Sequence, residues 1–406
     1  MLLRVFLPFA AGYYLSYLFR TINALIAAPL ALEFGLGAAD LGLLTSVYFL
    51  TFAAAQIPIG VLLDQYGPRR IQSALLVVLA IGAALFAASG NYLALLASRA
   101  LIGLGAAAAL SAGLKALLLW FPKDRLPLLN GSMIMLGALG AVSATAPAEP
   151  LLRWIGWRGL FGSLAIIAAC CALITHLVVP ESETAAASKS SGGLGKVFRD
   201  VRFWRIAPLS ATLIGTAWAL QGLWAAQWLA DIEGLSRAEV VWYLFMMASA
   251  LSVGAALLGI AVDRLRRRGI GPQALLGVVA IIFAVAQFAL ILRWPVPSSV
   301  TWIVVAAVGA TTVVGYSILA DYFPKELAGR ANGVLNFLHL GAAFVLQYAT
   351  GVVLQHWTPQ AGRYPEIAYQ AAFAINVGLQ ILAVAWFAIS WLVWRPIGTH
   401  RRSSSR

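Results

Sequence analysis

Long apolar runs recur along the chain, parted by short stretches of charge, glycine and proline. A helix needs about 20 largely apolar residues to cross a bilayer, so each run predicts one crossing. The runs cover 5–32, 40–63, 71–89, 92–119, 127–148, 157–179, 204–230, 238–262, 271–292, 300–322, 331–355 and 368–393, which predicts twelve spans. The longest polar interruption, ESETAAASKSSGGLGK at 181–196, reads as a flexible connection between the sixth and seventh. The chain thus divides into a six-helix bundle over 1–180, a cytoplasmic linker over 181–203, a second bundle over 204–394 and a basic tail over 395–406. The first run begins like a secretory signal, but Arg20 interrupts its apolar core, and the run is expected to stay in the mature protein.

Composition places the chain in a membrane: 61% of its 406 residues are hydrophobic and 11% charged, with a mean hydropathy of +0.86. A net charge of +13 would otherwise point to nucleic acid. With the N-terminus inside, however, most of the 28 Lys and Arg fall in inner segments. The outer ones hold Arg153, Arg158, Arg237, Arg293 and Arg363, and the spans hold Arg20, Arg99 and Lys115. That asymmetry predicts cytoplasmic termini, the cell inner membrane and the lipid bilayer, rather than nucleic acid, as surroundings. Cys170 and Cys171 are adjacent in one span, where they read as small apolar residues.

The two halves repeat. GVLLDQYGPRR from Gly60 answers GIAVDRLRRRG from Gly259, pairing Gly60 with Gly259 and Asp64 with Asp263 at an offset of 199. GLGAAD (35–40) answers GLSRAE (234–239) at the same offset, and FPKDRLPLLNG from Phe121 answers FPKELAGRANG from Phe323 at 202. Duplication of six spans predicts an all-α polytopic protein of two pseudo-symmetric six-helix bundles that rock about a midplane site. Gly60 allows close helix approach near the inner face. Asp64 would meet the positive N-terminus of the eleventh span, and Asp263 would mirror it against the fifth, opening at Pro127, contacts that would latch the cytoplasmic side in the outward-facing state.

At these residues the chain resembles the major facilitator superfamily over nearly its whole length. GVLLDQYGPRR is similar to that family's loop between spans two and three, SRALIGLGAAAA (98–109) to its fourth-span motif, and GWRGLF (156–161) to its entry to span six. The resemblance implies alternating access, with Gly60, Asp64, Arg69, Arg70 and Asp263 gating the cytoplasmic side and the first and seventh spans lining the cavity.

Arg20 is the candidate anchor. An arginine at the bilayer centre costs about 2.5 to 3.5 kcal/mol on insertion scales, so something must compensate it. At 100° per residue Tyr13, Ser16, Tyr17 and Asn23 share its face. The seventh span offers Trp218, Gln221, Trp224 and Trp228, and the eleventh Asn332, Asn336, His339 and Gln347. Aromatics and amides around one fixed cation suit a carboxylate held by a guanidinium fork. The competing reading is a structural pair between Arg20 or Arg99 and one of Glu33, Asp40 or Glu149. The run from Tyr17 to Arg70 also resembles the superfamily's organic-anion (anion:cation symporter-like) branch, with Arg20, Asn23, Pro29, Ser46, Tyr48, Gln56, Pro58, Gly60 and Asp64 in place. In that branch the first-span arginine is thought to bind substrate carboxylate. Phe19 and Ala106 stand where the branch commonly has acids associated with proton coupling.

Moving an anion inward costs about 2.3 kcal/mol per charge per 100 mV, so an importer needs co-transported cations or an exchange partner. His339 and Arg99 are the coupling candidates, with His339 equally readable as a packing residue. Lys115 lies about 24 Å beyond Arg99 along the fourth span, where it reads as snorkelling or as part of an anion vestibule. No H-E-x-x-H, phosphate loop, metal cluster or nucleophile motif appears, so neither an enzyme nor a cofactor is expected. The sequence reading is a secondary transporter of a small organic anion, ion-coupled and monomeric. Proton-coupled efflux of hydrophobic or anionic compounds, and transport of dipeptides or siderophores, stay open. Nitrate is disfavoured because the second span lacks an arginine and no glycine-asparagine signature helix is present.

Overall fold

The computed structural model describes residues 1–181 and 194–393, so most of the expected linker and the basic tail lie outside the described residues. Part of the linker region, Leu194–Arg199, is helical. Among the described residues the only β pairing is one isolated bridge between Gln360 and Arg363. Among the described residues ten helices are long and apolar enough to cross a membrane. One of them, Ala38–Ala88, turns back at Gly67 and supplies the second and third crossings. Leu126–Ser143 supplies the fifth, which brings the total to the twelve expected.

The repeat is visible in backbone geometry. Gly35 (φ 65°), which caps the first span, and Gly234 (φ 67°), three residues past the end of the seventh, both lie in the left-handed region, where a side chain would be strained. The helix that follows each is capped alike. Asp40 accepts from the Gly37 amide at 3.0 Å, and Glu239 from the Ser236 amide at 2.8 Å.

Interruptions obey the same symmetry. The first span breaks at Ile22 between Leu7–Thr21 and Asn23–Phe34, and the seventh carries a π turn at Leu220–Trp224. The fourth breaks between Tyr92–Ala106 and Ala109–Trp120, and the tenth carries a tight turn at Gly309–Thr311. The repeat offsets carry Ile22 onto Gln221 and Ala107 onto Gly309. A broken helix frees backbone polar groups, which in a membrane must find partners inside the protein or in a water-filled cavity. The breaks therefore mark the protein-facing helices.

Each half has its own core. Phe86 stacks on Phe161, which Phe19 meets edge-on, in the first half, and Trp302, Phe283 and Phe373 fill the second. Large apolar side chains such as Leu93, Ile166, Leu257 and Leu382 point outward, as a lipid-facing surface requires.

The halves meet at the end opposite the N-terminus. Ala38 donates to the Tyr364 hydroxyl at 3.1 Å. A Cβ on Gly42 would stand 3.2 Å from the Gln347 carbonyl, so the second span is seated on the eleventh. Arg237 reaches from the eighth span to both oxygens of Glu149, at 2.7 and 2.9 Å, and to the Leu25 carbonyl at 3.2 Å. At the N-terminal end the same helices part. Gly60 on the second span and Gly329 and Gly333 on the eleventh have open space where a Cβ would stand. The two halves are thus in close contact at the end opposite the N-terminus and leave space around these glycines at the other.

Candidate functional site

Arg20 lies two residues before the break in the first span, and its guanidinium is held by rings from both halves. Its central carbon is 3.9 Å from the Tyr17 centroid and 4.7 Å from that of Trp218. Among the described residues no carboxylate pairs with it. Cation–π contact offsets part of its dehydration but leaves its N–H donors free for a ligand.

Rings continue the cluster on either side. Tyr13 meets Tyr17 edge-on at 5.0 Å, and Phe49 stacks on Trp218 at 6.2 Å. Behind Trp218 stands His339, fully buried, 6.3 Å from the Trp218 ring and 6.4 Å from that of Tyr316. Its Nε2 is 2.9 Å from the Ser210 hydroxyl.

The three outer carboxylates that competed for Arg20 are committed elsewhere. Glu33 binds Arg158 at 2.5 Å and the Trp157 indole at 2.8 Å, Asp40 caps Gly37, and Glu149 takes Arg153 and Arg237. The competing reading, a structural pair between Arg20 and one of these acids, is not made in this structure.

Arg99 is fully buried on the fourth span. Its Nη2 donates at 2.7 Å to the Phe19 carbonyl, one of the groups freed by the first-span break, and its central carbon is 4.9 Å from the Tyr48 ring. Its Nε and Nη1 are buried without a partner. Gly103 and Gly105 let the fourth span come this close, since a Cβ would stand 2.9 Å from Tyr48 Cα or 2.6 Å from Leu79 Cα. Gln56 and Ser16 serve the fourth-span break, donating to the Ala107 carbonyl at 3.1 Å and the Ala106 carbonyl at 3.3 Å. Asn23 spans the first-span break, its side-chain amide 3.4 Å from the Arg20 carbonyl.

Several expectations from helical projection do not match this geometry. Trp228 packs on Trp302 at 5.5 Å and under Arg293 at 5.1 Å, and Trp224 donates to the Gln347 carbonyl in the closed end. A π turn adds a residue to its helical turn, so the 100° projection that grouped the tryptophans fails beyond Leu220. Gln221 falls within that turn and is buried. His339 supports Trp218 from behind instead of facing the cavity, whereas Asn336 is half-buried on the same helix. Asp64 pairs with Lys115 of its own half at 2.6 Å, with the Leu63 carbonyl also on that ammonium at 2.8 Å. Lys115 is therefore a tether. Arg70 pairs with Glu181, Arg69 is half-buried beside it, and Asp263 is exposed. Asp64 thus pairs within its own half, and the close approach expected at Gly60 is not made.

Sequence reasoning passed over Tyr316, Phe49 and the Arg237–Glu149 bridge. Tyr316 and Phe49 carry no distinguishing signal. Arg237 does, because a cation in a helix's first turn opposes the macrodipole and calls for a carboxylate.

The profile of the Major Facilitator Superfamily matches residues 9–338. A protein of Cupriavidus necator described as a probable sulfoacetate transporter is 23% identical over 63% of this chain and 64% of its own. The hexuronate transporter of Escherichia coli K12 is 26% identical over 61% of this chain and 62% of its own. A nitrate/nitrite transporter of Picosynechococcus is 26% identical over 52% of this chain and 46% of its own. The chain thus spans a little under two thirds of the length of the first two relatives and less of the third. Among solved structures, a bacterial homologue of the lysosomal transporter Spinster, crystallised inward-facing and unoccupied, aligns with a TM-score of 0.78 at 19% identity, over 96% of this chain and 98% of its own. A D-xylose–proton symporter aligns at 0.75 and 14% identity, over 94% and 96%.

Proposed function

The chain belongs to the major facilitator superfamily, a family of membrane transporters, and from that premise we propose that it carries a small organic anion across the inner membrane by alternating access. One observation carries this reading: an arginine between the two halves, clasped by Tyr17 and Trp218, whose guanidinium no carboxylate neutralises. A carboxylate or sulfonate supplies the missing charge and accepts two parallel N–H bonds. Relatives named for sulfoacetate and hexuronate support that class.

On this reading Tyr13, Tyr17, Arg20 and Trp218 face the substrate. Asn23, Gln56 and Arg99 hold the helix breaks that shape the floor, and His339 backs the wall. The bundles 1–180 and 204–394, joined by 181–203, rock as units around the site. The open end carries the N-terminus and faces the cytoplasm, in keeping with the basic residues on that side. In the opposite state Asp64 and Asp263 would leave their present surroundings for the other half. The working unit is one chain.

Uptake into proteoliposomes of labelled glucuronate and sulfoacetate, beside a neutral hexose and a cationic dye, tests this. Uptake of one of the anions with exclusion of hexose and dye is expected. Uptake of the dye or the hexose alone would overturn the reading.

A further inference from the structure

We infer that the groove between the third and sixth spans, on the membrane-facing side of the first half, is a binding site for one anionic phospholipid, with an acyl chain in the groove and the phosphate beside Arg70. The inference draws only on the chain's being a membrane protein and is independent of what the central site carries.

The groove encloses about 830 Å³. Buried alanines form its floor, Ala80 from the third span and Ala165 and Ala172 from the sixth, and the exposed side chains of Val77, Ile81 and Leu173 rise along its edges. From Arg70 to Ala84 it runs about 20 Å along the third span. One leaflet's share of a hydrocarbon core roughly 30 Å thick is shorter than that, so the groove reaches from headgroup depth to the bilayer centre. Water finds no polar partners on its apolar walls, and an empty groove forfeits their dispersion contacts. An acyl chain supplies those contacts.

The second half treats the corresponding space differently. Between the ninth and twelfth spans the Phe387 ring stands 3.6 Å from where a Cβ would lie on Gly277, so a side chain of the protein packs there. The first half offers alanines in place of such a ring.

Charge selects the headgroup. Arg70, Ser73 and His176 are the polar residues lining the groove, and all three stand at its N-terminal end. Arg70 turns Nε and Nη2 to Glu181, while Nη1 has no partner among the described residues. Arg69 and His176 also act on that carboxylate, so two arginines face one acid and the surroundings stay positive even with the histidine neutral. A phosphodiester at this depth accepts from Nη1 and gains from the second arginine. A zwitterionic headgroup brings its own cation into the same positive surroundings and is held less firmly.

Native mass spectrometry of the purified full chain in detergent, titrated with phosphatidylglycerol, phosphatidylcholine or glycerol phosphate, tests the site. The expected result is one phosphatidylglycerol retained per chain, preferred about fivefold or more over phosphatidylcholine, with glycerol phosphate not retained. Arg70→Ala removes the cation together with its tie to Glu181, whereas Glu181→Gln removes the tie alone. The preference is expected to vanish in the first and persist in the second. Ala169→Phe, at an exposed position on the groove, sets a ring in the path of the acyl chain and is expected to expel both lipids. Equal retention of the two lipids by the wild type, a preference that survives Arg70→Ala or is lost in Glu181→Gln, or full retention by Ala169→Phe would overturn the proposal. Retention of glycerol phosphate as firm as that of the lipid would also overturn it, because the groove would then contribute nothing.

Discussion

The two halves share their breaks but not their charges. Ile22 answers Gln221 and Ala107 answers Gly309, so both halves interrupt the same helices at the same depth. Yet Arg20 corresponds to Ala219 and Arg99 to Thr301. The first half supplies the cations, and the second supplies the aromatic wall of Trp218 and Tyr316 with His339 behind it. Duplication preserved the helix breaks, and divergence placed the buried and half-buried cations on one side. The tethers at the N-terminal end show the same divergence: Lys115 binds Asp64 between spans two and four, while Arg266 binds Asp321 at 2.8 Å between spans eight and ten, with the signs reversed.

The largest effect should come from weakening the charged half. Arg20→Lys keeps the charge but loses the fork, and the loss of a charge-assisted hydrogen bond, about 1.5 to 3 kcal/mol, should weaken anion binding tenfold or more by calorimetry. Next comes Gly103→Val, which writes the second half's residue, Val305, into the first. Crowding against Tyr48 should cost about 1 to 3 kcal/mol, read as a lowered thermal unfolding midpoint. Trp218→Ala removes the second half's grip on Arg20, worth about 0.5 to 2 kcal/mol, so affinity should fall by about 3- to 30-fold while Trp218→Phe retains most of it.

Arg237→Gln loosens the closed end. Because Arg153 still holds Glu149, the shift should be about 1 kcal/mol, a roughly fivefold rise in the outward-open population by distance measurements between spin labels across that end. The smallest effect belongs to Arg70 and Glu181. Arg70's hydrogen bond, and then its charge, hold the Glu181 carboxyl below its ordinary value. The tie is therefore complete above that ordinary value, near about 4.3, and is lost as pH falls through the lowered one. Arg70→Ala should leave thermal stability unchanged at pH 7 and alter only its acid limb.

Much of the fold was legible because crossing a bilayer demands long apolar runs, and the duplication left Gly35/Gly234 as readable turns and Asp40/Glu239 as readable caps. Arg20 stood out by the cost of its charge, and Tyr17 followed from helical spacing. What could not be read depended on departures from a regular helix. The π turn at Leu220–Trp224 turned Trp224 and Trp228 away from Arg20, and no apolar pattern announces such a turn. Contacts that depend on the conformational state are equally invisible in a linear pattern: Asp64, expected to meet the eleventh span in an outward-facing state, here pairs with Lys115, and Gly60 has open space where a close approach was expected.

The most direct test is ligand-induced thermal stabilisation of the wild type beside Arg20→Gln, against glucuronate, sulfoacetate, dipeptides, siderophores, neutral sugars and cationic drugs. A ligand that binds the folded state raises its unfolding midpoint whatever the direction of transport. The account predicts stabilisation of the wild type by a carboxylate or sulfonate class, lost in Arg20→Gln. Stabilisation by neutral or cationic compounds that survives Arg20→Gln would contradict it.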